Sequence, residues 1–193
     1  MMKKIFYLLI IFLIVCCQNE KIEIKYYPSH FDISDFDGEI ILLDSINYNF
    51  SQITDKIDFQ NLILEFNDNK KTKRIIPHNF NIGSFKRRNI LIIDSDSIYV
   101  ENGFSINELD LILKKHYLNN RKNKQYSESP KKAIIGVMLD STENSRTLKP
   151  LMIKLTNSFD KLKNESIDTL ELWIFFNYLK IDKPKLIRKV IND

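Results

Sequence analysis

Between residues 89 and 165 the apolar residues change period repeatedly, and this restricts the fold more than any other feature of the 193-residue chain. In NILIIDSDSIYVENGF two short runs, 90–93 and 97–100, flank an Asp-Ser-Asp turn, which is strand–turn–strand chemistry. From Ser105 the period becomes helical, with Leu109, Ile112, Leu113, His116 and Tyr117 on one face. Ser105 and Glu108 have capping-box spacing, so a helix is expected over 106–118. KKAIIGVMLD is an unbroken apolar run, expected as a strand buried on both faces. Leu148, Leu151, Met152, Leu155, Phe159 and Leu162 mark a second helix, with Pro150 expected in its first turn. LELWIFFNYLKI fits strand or helix, and Pro184 followed by Leu186, Ile187, Val190 and Ile191 suggests a short closing helix. This order predicts an α+β fold, a small mixed sheet with helices packed on it.

The front half carries weaker signals. KIEIKYY alternates and reads as a strand, and SHFDISDFDG reads as a loop. GEIILLDSINYNF suggests a strand pair around Asp44 and Ser45, and NLILEFND and KRIIPHNFNIG suggest further strands. EIILLDS echoes NILIIDS fifty residues on, but two imperfect copies do not make a solenoid.

The first residues, MMKKIFYLLIIFLIVCC, have the layout of a secretory signal: Lys3 and Lys4, then apolar residues 5–15. As a helix this run covers about 17 Å, well short of the roughly 30 Å hydrocarbon core. Its end resembles the lipobox of bacterial lipoproteins, with Ile14, Val15 and Cys16 before Cys17. The resemblance implies cleavage after residue 16 and acylation of Cys17. Both cysteines of the chain sit at this junction, which agrees with lipid attachment rather than a disulfide framework. Gln18 follows where an aspartate would signal inner-membrane retention, so the expected location is the outer membrane of a Gram-negative cell envelope. The expected organisation is a lipoprotein signal peptide over 1–16, a lipid-attached tether over 17–27, a strand-rich region over 28–85 and an α+β region over 86–193.

Residues 89–165 resemble the periplasmic domain of the ExbD/TolR biopolymer-transport family. There a strand pair with a short turn precedes a helix, then a buried strand and a second helix. NILIIDSDSIYVENGFSINELDLILKKHYLNN matches the first part and KKAIIGVMLDSTENSRTLKPLMIKLTNSFDKLKNE the second. The match covers under half of the chain. The family's full transmembrane helix and its functional aspartate have no counterpart in the short apolar run, so no family site residue carries over. The resemblance implies a module that binds proteins or cell-wall components.

Charge is segregated along the chain. Residues 18–68 hold three basic and eleven acidic side chains, a net of −8. Residues 69–93 hold Lys70, Lys71, Lys73, Arg74, Lys86, Arg87 and Arg88 and no acid. Two readings follow: the segments neutralise each other within one fold, or the basic residues form a patch for an anionic partner. Without the signal the net charge falls to +2, which removes the main support for nucleic-acid binding.

No catalytic set stands out. Asp94-Ser95-Asp96 after an apolar strand resembles the first motif of haloacid-dehalogenase phosphohydrolases, whose later Ser/Thr, Lys and acidic motifs have no convincing match here. The same residues make good turn chemistry. His30, His78 and His116 lie far apart in sequence, so no metal set and no cofactor is expected. Trp173, Phe175 and Phe176 read as core. The expected function is a lipid-anchored, non-enzymatic envelope protein that meets the membrane through its lipid and binds an envelope protein or polymer. An Asp94/Asp96-dependent phosphohydrolase and an immunity-type lipoprotein are the alternatives.

Overall fold

The structure, a computed structural model, describes residues 23–34, 36–78, 85–166 and 169–177. The signal, Cys17 and the closing helix expected after Pro184 lie outside them. The fold is α+β, with two mixed sheets in place of the one expected.

The first sheet is built from the front half. Its strands are β1 (Glu23–Tyr27), β2 (Glu39–Leu42), β3 (Leu62–Asp68) and β4 (Lys71–Ile75), in the order β1-β4-β3-β2. β3 and β4 form an antiparallel hairpin, and β1 and β2 add to its two sides in parallel. Gly38 lets the chain enter β2: a Cβ there would run into the carbonyl of Asn61, which accepts from the Glu39 N–H at 3.0 Å.

The strand pair expected around Asp44 and Ser45 is not formed. β2 ends at Leu42, and after a turn the chain enters helix α1 (Phe50–Phe59). The cause is a capping box absent from the sequence reading. The Asn49 side chain accepts from the Gln52 N–H (2.8 Å), and Gln52 Oε1 accepts from the Asn49 N–H (2.9 Å). Phe50, Ile53 and Ile57 then share the buried face.

The second sheet follows the expected order with one short strand, β7, added before the first helix. Its strands are β5 (Ile90–Ile93), β6 (Ser97–Tyr99), β7 (Phe104–Ser105), β8 (Ile134–Val137) and β9 (Ile174–Phe176), arranged β7-β6-β5-β8-β9. β5 and β6 are antiparallel, whereas β8 runs parallel to β5 and β9 parallel to β8. Helices α2 (Leu109–Tyr117) and α3 (Ser145–Ser166) make the two crossovers. The Ser105–Glu108 capping box forms, but it caps a 3-10 turn over Ile106–Glu108 that leads into α2, so the α-helix begins at Leu109 and not at 106; all four residues of β8 are buried, as expected. LELWIFFNYLKI supplies a strand, β9. Pro150 is not in the first turn: α3 begins at Ser145, so the ring sits one turn further in, on the exposed side.

One apolar core joins the two sheets, drawing on Phe50, Leu64, Phe66 and Ile75 as well as Ile93, Val137, Leu155 and Ile174. α3 holds them together. Its Phe159 ring meets Tyr27 of β1 edge-on at 6.4 Å and Tyr117 of α2 at 5.6 Å. Among the described residues, no helix is long and apolar enough to cross a membrane.

Candidate functional site

The seven basic residues singled out above do not form one surface. On β4, Lys73 and Arg74 point to opposite faces because side chains alternate along a strand. Lys73 is 1% exposed and donates to Asp68 Oδ2 (2.8 Å), Thr156 Oγ1 (3.0 Å) and Asn157 Oδ1 (2.6 Å). Arg74 donates to Glu65 (2.6 Å) and to the Tyr26 hydroxyl (2.8 Å). Lys71 pairs with Glu23 at 2.9 Å. Lys86 pairs with Glu128 at 2.7 Å, as Lys132 does from the other side at 2.8 Å. Hydrogen bonds from Lys132 and Lys86 hold the Glu128 carboxyl down to about 2. Arg87 is exposed, and Arg88 is half-buried with Nε and Nη2 unpartnered. Lys70 follows Asn69 in the β3–β4 turn. Four of the seven charges are therefore met by acids within the fold.

Asp94 closes the β5–β6 turn. Its Oδ1 accepts from the N–H groups of Asp96 (3.0 Å) and Ser97 (2.8 Å), and its Oδ2 accepts from the Tyr99 hydroxyl (2.5 Å). Burial pushes this carboxyl up, but the hydrogen bonds from Tyr99 and the two backbone amides outweigh it and hold it low. Asp96 is exposed and accepts from Ser97 Oγ at 2.6 Å.

The histidines divide. His116 is buried in α2: the Ser127 N–H donates to Nδ1 (3.4 Å), so Nε2 carries the proton and donates to the Asn89 carbonyl (3.2 Å). Burial pulls its pKa down to about 4. The same Asn89, together with Asn119, ties down the polar connector after α2. Asn89 Oδ1 accepts from the Glu128 N–H (3.0 Å), and Asn119 Nδ2 donates to the carbonyls of Asn123 (2.7 Å) and Ser127 (2.8 Å). His30 and His78 come together around half-buried Trp173, with ring centres 5.4 Å and 4.7 Å from it. Sequence spacing carried no sign of this pairing. Phe175 and Phe176 are buried, in keeping with a core role. Among the described residues, no group of three or more His, Cys, Asp or Glu side chains is placed to hold a metal.

Two clefts remain. One, about 340 Å³, lies between β1 and the end of α3. Its polar groups satisfy each other: Lys25 pairs with Asp160 (3.1 Å), and Glu171 accepts from the Ser29 N–H (2.6 Å) and Oγ (2.7 Å). The other, about 310 Å³, lies at the end of the first sheet, beneath the loop after β1. Phe31, Phe36, Ile57, Leu62, Ile76 and Pro77 wall it, with Asp32, Asp37, Gln60 and Asn61 as its polar lining. At the last residue of α1, Phe59 is 85% exposed. None of the cleft's residues belongs to the sequence-predicted set, because they come from four separate stretches of chain. Compared with known proteins, the chain matches no family model, no curated protein and no solved structure.

Proposed function

We propose that this protein is a lipid-anchored, non-enzymatic component of the cell envelope, whose α+β domain resembles the ExbD/TolR periplasmic domain and binds another protein or an envelope polymer. The observation that carries the reading is the element order after residue 89, a strand pair with a short added strand, then helix, strand, helix and strand, with parallel strands on either side of each helix. The lipobox-like junction at Cys17 supports the anchor. The use of both Asp94 oxygens as turn acceptors supports a structural role for that residue over a nucleophilic one.

Fatty-acid labelling of the wild type, Cys16→Ala and Cys17→Ala tests the anchor. Label lost only in Cys17→Ala is the expected result, and label absent from all three sinks the lipoprotein reading. Cross-linking in intact cells, followed by recovery of the full chain from envelope fractions, tests the binding role. A specific protein or polymer adduct is expected; its absence under several conditions removes the binding role.

A further inference from the structure

We propose that the cleft walled by Phe31, Phe36, Ile57 and Ile76 is a docking site for a partner polypeptide segment that carries an apolar side chain flanked by lysine or arginine. This rests on the reading that the domain binds another protein. The volume, about 310 Å³, is at the small end for ligand sites and suits an inserted side chain better than a cofactor. The walls are aromatic and aliphatic, with Phe31 and Phe36 meeting edge-on at 5.9 Å.

The rim decides which partner fits. Most acids of the front half are neutralised within the fold: Glu23 by Lys71, Glu39 by Lys56, Asp44 by Lys149, Glu65 by Arg74 and Asp68 by Lys73. Asp32 and Asp37, on the cleft, meet no cation among the described residues. Asp32 accepts from the Ser34 N–H (2.9 Å) and Asp37 from Asn61 Nδ2 (3.2 Å), both neutral donors. Hydrogen bonds from Ser34 hold the Asp32 carboxyl below its usual range, so it is charged at neutral pH. Two carboxylates that meet no cation among the described residues thus sit on the rim of an open apolar hollow. An acidic segment or a phosphate-bearing membrane would be repelled, whereas a basic-flanked apolar anchor is complementary in both respects.

The test uses the full chain in non-ionic detergent, with empty micelles as blank, and a fluorescein-labelled Lys-Lys-Leu-Phe-Lys-Lys peptide read by anisotropy. Glu-Glu-Leu-Phe-Glu-Glu and Lys-Lys-Ser-Ser-Lys-Lys serve as comparison probes. The expected result is binding of the first peptide alone, weakened about 10-fold or more by the double change Asp32→Lys, Asp37→Lys and weakened by salt. Both positions are exposed, and an unchanged melting curve confirms that the double variant is folded. Equal binding of the acidic peptide, unchanged affinity in the double variant, or no binding up to about 1 mM overturns the proposal. If the envelope cross-link described above still forms with the double variant, the docking site is wrong and the binding-module reading stands. If no cross-link forms even with the wild type, both fall.

Discussion

At the scale of single residues, His116 is the group whose chemistry the fold changes most. Its native pKa, about 4, lies below the ordinary 6.5 because burial disfavours the imidazolium. The unfolded chain therefore takes up a proton near pH 6.5 while the native protein does not until about pH 4. Its contribution to stability is complete above pH 6.5 and is lost as the pH falls through that window. By pH 5 the loss is about 2 kcal/mol, at 1.36 kcal/mol per pKa unit. Urea unfolding at pH 7 and pH 5 should show it, and His116→Gln should remove most of the difference. A residual slope is expected from His78, whose pKa burial also lowers. The carboxylates with lowered pKa, such as Asp94, Asp68 and Glu128, lose their contribution only at lower pH. If His116→Gln and the wild type have the same pH slope, the buried neutral imidazole is wrong.

At the scale of elements, caps decide where helices begin. The Ser105–Glu108 box was legible because an uninterrupted helical period follows it. The Asn49–Gln52 box was not, because FSQITDKIDF offers only three strong apolar residues on its face and follows a strand-like run. Asn49→Ala should destabilise the protein by about 1 kcal/mol in thermal or urea unfolding, as loss of a cap does. Pro150 gives the opposite prediction. It lies inside α3, where it removes a backbone hydrogen bond, and its side is exposed, so no packing depends on it. Pro150→Ala should stabilise the protein by about 1–3 kcal/mol, read as a rise in melting temperature. A fall would mean that the ring is needed to shape the helix.

At the scale of the whole molecule, the two sheets share one core, and α3 contacts both. Unfolding should therefore be a single transition. Trp173, next to β9 in the second sheet, and far-UV circular dichroism, which reports all elements, should give coincident urea curves. A displaced tryptophan transition would show that the sheets unfold as separate units. The shared core also explains how charge is disposed. Packing α3 across the first sheet buries Lys73 beside Thr156 and Asn157, more than eighty residues away in sequence. A lysine that looked like part of a basic patch is thereby turned into an interior ion-pair partner of Asp68.

By itself the sequence determined the α+β class, the strands β5, β6 and β8 and the helices α2 and α3, the Ser105 cap and the turn at Asp94, all set by period and turn chemistry within a dozen residues. Only the tertiary structure decided that the strands divide into two sheets, and that His30 and His78 meet at Trp173. It likewise selected which acids find a cation and which are left at a cleft. Those outcomes depend on strand partners and side-chain pairs far apart in the chain. Alternation reveals which face of a strand is buried, but it says nothing about which distant segment will cover that face.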